Sequence, residues 1–190
     1  MKDLFAVFDF ERRFNIDSKS IEKKYFQLSR ETHPDFHLNK NEFDKSRILA
    51  KSSLINQAYV CLKEPFLRAK HILELEWPDI PDSELKKISQ SFLFEVMDIQ
   101  DTISDFHDSN KNDKINKMEK LKQLESNLKI RSNELLNNLY ELDNEWILIL
   151  NENLNSKIPF MKRINELINT KIYIRNLLQT IYQEINNELI

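Results

Sequence analysis

Glycine is absent: not one of the 190 residues is glycine. Loops that cradle phosphates need glycine so that the backbone can approach the ligand, and the elbow that presents a hydrolase nucleophile needs it too. P-loop, dinucleotide-binding and nucleophile-elbow sites are therefore excluded in their usual forms. Tight hairpins rely on glycine for positive φ, which argues against a β-rich fold. Where a helix must end in a left-handed residue, Asn or Asp has to supply it. Cysteine is nearly as scarce. Cys61 is the single one, so neither an internal disulfide framework nor a cysteine-built zinc site can form within the chain. No stretch approaches the roughly 18 apolar residues of a membrane span. The opening MKDLFAVFDF has neither the charged-then-apolar pattern of a signal peptide nor the Arg-rich look of a transit peptide. A reducing bacterial cytoplasm is the expected compartment, with no membrane partner. The net charge of -3 is mild. It offers no dense basic surface to displace counterions, so nucleic acid is not an expected partner.

What is present is helix-forming and well patterned. Apolar residues make up 41% of the chain and charged residues 31%, enough for a core and a solvated surface in one medium domain or two small ones. A short helix is predicted from Lys2 to Phe8. A second runs from the turn at Asn15–Ser18 to about Thr32, with Ile21, Tyr25 and Leu28 on one face. Lys23, Gln27 and Arg30 share another face, with Lys24 beside them, and that face is basic. Pro34 disfavours helix at the residue before it. A long helix then spans about Lys40 to Leu62 with Leu54, Ile55, Ala58 and Leu62 inward, and another begins at Pro65 with Phe66, Ala69, Ile72 and Leu73 buried. The proline-containing stretch 76–83 reads as a linker. Three helices follow, from about Leu85 to Phe106, Asn112 to Leu142 and Pro159 to Asn187, and the bare apolar run Trp146–Leu150 is read as helical. The fold class is all-α: residues 1–75 as one domain, 76–83 as linker and 84–190 as a three-helix bundle.

Two features bear on function. The first is the tripeptide His33-Pro34-Asp35 at the tip of a two-helix hairpin, next to the basic face. Pro34 fixes φ, Asp35 can cap or pair with a cation, and His33 can donate a hydrogen bond. A simple helix stop is the plain alternative. No carboxylate, cysteine or serine is placed to make His33 catalytic, so no catalytic residue is assigned. The second is the helix from Leu85 to Phe106. Phe92, Val96, Ile99, Ile103 and Phe106 recur at steps of four, three, four and three and form a complete core stripe. Leu93, Phe94 and Met97 lie off it, roughly 100–200° around the helix, bordered by Asp98, Asp101, Asp105 and Asp108. They are either a binding surface or a face covered by a third helix, and periodicity does not choose. The Asp stripe with His107 is more simply a solvated face than a metal site, and Cys61 more simply a structural thiol than a reactive one.

Residues 3–75 resemble a J domain, and the HscB family in particular. The resemblance rests on DLFAVFDF, the HPD tripeptide, LINQAY, and LKEPFLRAKHILEL from Leu62 to Leu75. It implies that His33, Pro34 and Asp35 stimulate ATP hydrolysis by an HscA/DnaK-type chaperone, against whose acidic surface Lys23, Lys24 and Arg30 dock. It also implies that FLFEVMDIQDTI carries the surface for the iron–sulfur scaffold IscU, through Leu93, Phe94, Met97, Asp98 and Asp101, with Ile174 of the last helix as a further contact. No enzyme activity, cofactor or metal follows from it. Three positions depart from the family pattern: Phe36 where Lys is usual, Thr32 where an aromatic is usual, and Asp9 where glycine is usual. The chain is also longer than the pattern between Asp143 and Ile174. A J-domain protein with another client, an enzyme using His33 or the Asp stripe, and a helical adaptor with an accidental tripeptide are the rival readings.

Overall fold

The computed structural model describes residues 2–33, 41–109 and 113–187. Among these the chain is helical without strands: α1 (Leu4–Phe8), α2 (Ser18–Glu31), α3 (Glu42–Lys63), α4 (Pro65–Glu76), α5 (Asp82–Leu85), α6 (Gln90–His107), α7 (Lys114–Ile149) and α8 (Leu154–Asn187). The all-α expectation holds. The described residues fall into two compact units, one within Met1–Pro78 and Tyr140–Ile158, the other within Asp79–Leu139 and Pro159–Ile190. The chain passes from the first to the second inside the stretch read as a linker. It then returns for the end of α7 and the start of α8.

In the first unit, side-chain caps set the helix starts. Asp3 accepts from the Phe5 amide, Asp17 from Ser20, Asn41 from Asp44 and Glu64 from Leu67, satisfying amides that have no partner within their helices. Pro65 sits in the first turn of α4, where a missing N–H costs nothing. α1 ends on Asp9 at φ 57, the one left-handed residue among those described. Asp takes the conformation that glycine would hold at no steric cost. Leu4, Phe5, Phe8, Phe14, Ile21, Ile55, Ala58, Leu62, Phe66 and Ile72 fill the core. Tyr25 of α2 stacks on Tyr59 of α3 with ring centroids 4.1 Å apart, and its hydroxyl donates to Asn56.

The segment 140–158 completes this unit. Trp146 is fully buried, with its ring 5.8 Å from Phe14 and its indole N–H donating to the Arg12 carbonyl at 2.6 Å. Lys157, also buried, pairs with Glu76 at 2.7 Å and lies over the Trp146 ring. Glu76 in turn takes Arg12, which holds Asp3. The apolar run at 146–150 is thus the end of α7, its aromatic pointed into a core built by residues over 130 positions earlier.

In the second unit, Ser89 caps α6 by accepting from Phe92. All five stripe residues, Phe92, Val96, Ile99, Ile103 and Phe106, are buried. They share a core with Leu121, Leu128 and Leu135 of α7, spaced by seven, and with Ile164, Ile168 and Ile181 of α8. Asn165 and Asn169 of α8 are buried too, donating to the carbonyls of Glu84 and Lys87. Those bonds serve one carbonyl at the end of α5 and one in the non-helical stretch between α5 and α6. α8 starts before Pro159 and carries it in its second turn.

Candidate functional site

The first candidate surface is the basic face of α2. Lys23 and Arg30 are exposed and lie seven residues, about two helical turns, apart, so they project from the same side. Lys24 is half-buried beside them, 3.9 Å from Asp9. Towards the C-terminal end of α2 the surface is concave, about 760 Å³, and Lys23, Phe26, Arg30, Glu31 and His33 line it. His33 is exposed. Pro34 and Asp35, with Phe36, lie outside the described residues. Thr32, where an aromatic is usual, is buried and accounts for its own polarity: its hydroxyl donates to the Leu28 carbonyl at 3.0 Å as α2 ends.

The second candidate surface is on α6. Leu93, Phe94 and Met97 are 45%, 58% and 53% exposed. Nothing described covers them, so of the two readings of this face the covered one does not hold. Asp98 and Asp101 are exposed alongside. Next to them a groove of about 220 Å³ is lined by Asp98, Ile99 and Thr102 of α6 and by Leu124, Leu128 and Arg131 of α7. Arg131 pairs with Glu95 and lies 4.6 Å over the Phe92 ring, which fixes the α6 register at the edge of the patch.

Ile174 is corrected. It is fully buried and packs the core of the second unit, so its side chain is not available to a partner. The expectation placed it by similarity across a stretch whose length departs from the family. One residue of slip turns a helix by about 100° and exchanges a surface position for a core one. On the same helix Ile172 is 37% exposed, and Tyr173 is half-buried with its ring edge-on to Phe92 at 6.4 Å.

The remaining reactive groups serve the fold. Cys61 is half-buried, with Sγ 3.7 Å from the Leu67 carbonyl; burial, then Glu74, pushes its thiol up to about 11, so little thiolate exists at neutral pH. His107 pairs with Glu184 at 3.1 Å rather than with the Asp stripe, and that bond raises its pKa. Among the described residues no group of three His, Cys, Asp or Glu is arranged to hold a metal ion, and no helix is long and apolar enough to cross a membrane. Apolar periodicity passes over buried polar residues, Arg68 and His71 among them. Arg68 donates to the carbonyls of Phe14 and Leu62, and burial lowers its pKa. His71 accepts the Leu4 amide on Nε2 at 3.0 Å while stacked on Phe5. Both lie within the LKEPFLRAKHILEL run.

No family model matches the chain. The iron–sulfur cluster co-chaperone protein HscB of Mus musculus is 30% identical over 131 residues, 69% of this chain and 56% of that protein. The co-chaperone protein HscB of Proteus mirabilis is 26% identical over 164 residues, 86% of this chain and 92% of that one. The chain is similar to HscB co-chaperones along most of its length. The solved structure of chaperone HscB from Vibrio cholerae superposes with a TM-score of 0.71 over all of both chains at 17% identity, a likeness of fold. The chain spans just over half, 56%, of the length of the mouse relative. Against the pattern of the HscB family, the left-handed Asp9 and the buried Thr32 stand at departures, and each is accommodated locally, by an αL cap and by a hydroxyl bonded to its own helix.

Proposed function

We propose that this chain is a co-chaperone of iron–sulfur cluster assembly that binds the scaffold IscU and delivers it to an HscA/DnaK-type chaperone, stimulating that chaperone's ATPase. The observation that carries the reading is the pair of dissimilar surfaces. Leu93, Phe94 and Met97 are exposed together off a completed core stripe, and a basic face on α2 leads to His33. Relatives named as iron–sulfur cluster co-chaperones support it. In this reading residues 1–75 act as the J domain and 84–190 carry the client.

The client surface works by apolar burial. Covering an exposed apolar side chain is worth about 1.5–3 kcal/mol, and the cost of association consumes part of three such gains. Micromolar affinity, roughly -8 kcal/mol, is within reach. Asp98 and Asp101 orient a complementary basic rim. At the other end Lys23, Lys24 and Arg30 steer the chaperone's acidic surface, each exposed pair adding about 0.2–1 kcal/mol, and His33-Pro34-Asp35 triggers hydrolysis. Holding both partners on one chain raises their effective concentration for each other. The chemistry belongs to the partners. The chain itself is a binding protein working in a bacterial cytoplasm, and the cluster is cargo on the scaffold.

The test is calorimetric titration of purified IscU from the same source into wild type and Met97→Lys. Micromolar binding lost in the variant is the expected result. Absence of binding by the wild type would sink the scaffold assignment and favour the second reading, a J-domain co-chaperone with a different protein client, which shares the α2 surface.

A further inference from the structure

Phe26 is 63% exposed, in the middle of the basic face of α2. Lys23 lies three residues before it and Arg30 four after, so the three project from one side of the helix. An isolated exposed aromatic needs no explanation by itself. This one is held. Its ring lies 5.6 Å from that of Tyr25, Tyr25 stacks on Tyr59 of α3, and Tyr59 receives a hydrogen bond from Lys63, which is itself paired with Glu22. The Tyr25 hydroxyl is tied to Asn56. Two helices thus hold the ring against which Phe26 rests, and Phe26 still offers most of its surface at the edge of the 760 Å³ concavity that leads to His33.

We infer that Phe26 is the apolar anchor of the chaperone-docking surface and that its counterpart is a partner surface bearing an apolar recess rimmed by carboxylates. The inference rests on the proposed co-chaperone function and adds a residue and a recognition chemistry to it. Cationic side chains flanking the ring select an acidic rim by charge complementarity. Rim charges are solvated and individually weak, so they set rate and orientation, while a desolvated aromatic at the centre of the contact supplies most of the affinity. Because the ring is already propped, little side-chain freedom is lost on docking. Glu31, which accepts from Gln27 at 3.4 Å, adds a carboxylate on the tip side, so the acidic partner rim is matched to the Lys23 side.

The test uses the full chain and an HscA/DnaK-type chaperone from the same source in single-turnover ATPase assays, with wild type, Phe26→Ala, Phe26→Leu and Lys23→Ala at low and high salt. Phe26→Ala is expected to raise the concentration giving half-maximal stimulation about tenfold or more, the scale of a lost hot spot, at both salt concentrations and with the maximal rate retained. Phe26→Leu should recover part of it. Lys23→Ala should lose its effect as salt rises. IscU binding and the thermal midpoint of Phe26→Ala should match wild type. Half-maximal concentrations for Phe26→Ala within twofold of wild type, while wild type stimulates normally, would overturn the anchor and leave the co-chaperone reading intact. A wild type that stimulates no such chaperone would overturn both.

Discussion

Arg13 and Asp143, 130 positions apart, meet through two guanidinium hydrogen bonds of 2.9 and 2.6 Å to one carboxylate oxygen, while the other oxygen accepts the Phe14 amide at 2.6 Å. The Asp143 side chain is 3% exposed. One carboxylate from the far end of α7 therefore satisfies a backbone amide and a cation of the N-terminal segment, next to the Trp146–Phe14 contact.

Asp143→Ala should lower unfolding stability by about 2–4 kcal/mol, because the Phe14 amide and Arg13 lose a buried acceptor. Arg13 is 31% exposed, so hydration recovers part of its loss and the upper end of that range is not expected. Urea titration followed by tryptophan fluorescence measures it. A loss under about 0.5 kcal/mol, the scale of an ordinary surface substitution, would show that the contact is dispensable. By the same reasoning a fragment ending at Pro78 lacks the Trp146 that fills its core and should melt well below the full chain.

Stability should fall as pH drops from about 7 towards 5. Burial holds His71 below its ordinary pKa of 6.5, against the pull of Glu74 and Asp3. The folded state therefore binds that proton less readily than the unfolded chain. Its contribution is complete above the unfolded pKa and is lost as pH falls towards the folded one. Protonation would also remove the acceptor of the Leu4 amide. His107 acts in the opposite sense, since its pKa is raised, but it is exposed and its effect is screened. Asp3, lowered below 3.8 despite the raising effect of burial because Arg12 and backbone amides hold its carboxylate, acts at more acidic pH. Thermal melts of wild type and His71→Gln should converge as pH falls; parallel curves would remove His71 from the account.

Asp9→Gly should stabilise the chain by about 0.5–1 kcal/mol, since glycine holds a left-handed cap without Cβ strain. The 3.9 Å ion pair with Lys24 is lost, but Asp9 is 93% exposed and such pairs contribute little. A lower denaturation midpoint in the variant would mean that the Asp9 side chain matters more than its backbone.

Ile174→Ala and Met97→Lys should separate fold from function. The first empties a fully buried site and should cost about 2–5 kcal/mol. The second replaces an exposed side chain and should leave stability within about 0.5 kcal/mol of wild type while abolishing client binding. Calorimetry with denaturant melts on both variants checks this. Equal destabilisation by the two would contradict the burial pattern.

The core stripe of α6 is legible in the sequence. The α6 stripe follows a 3.6-residue period, and the same arithmetic that put Phe92 and Val96 inside put Leu93, Phe94 and Met97 elsewhere. Whether that other face was bare depended on where α7 and α8 run, which a helical wheel does not contain. Ile174 shows the converse. Pattern matching across a stretch of altered length does not fix its register, and a slip of one position reverses burial. Arg68 and His71 carry no signal in apolar periodicity, because their partners are carbonyls and amides elsewhere in the chain.

The amino-acid order alone determined that the chain is helical, where most helices begin, which residues of α6 form the core, and that no glycine-dependent site exists. These follow from propensity, capping and the repeat of a single helix, all of which act over a few neighbouring residues. Only tertiary structure decided that 140–158 joins the N-terminal unit, that Leu93, Phe94 and Met97 stay exposed, that Ile174 is buried, and that Phe26 is propped on Tyr25 and Tyr59. Each of these depends on which distant segments come together. That choice is set by the packing and hydrogen-bond satisfaction of the whole chain, which no local window contains.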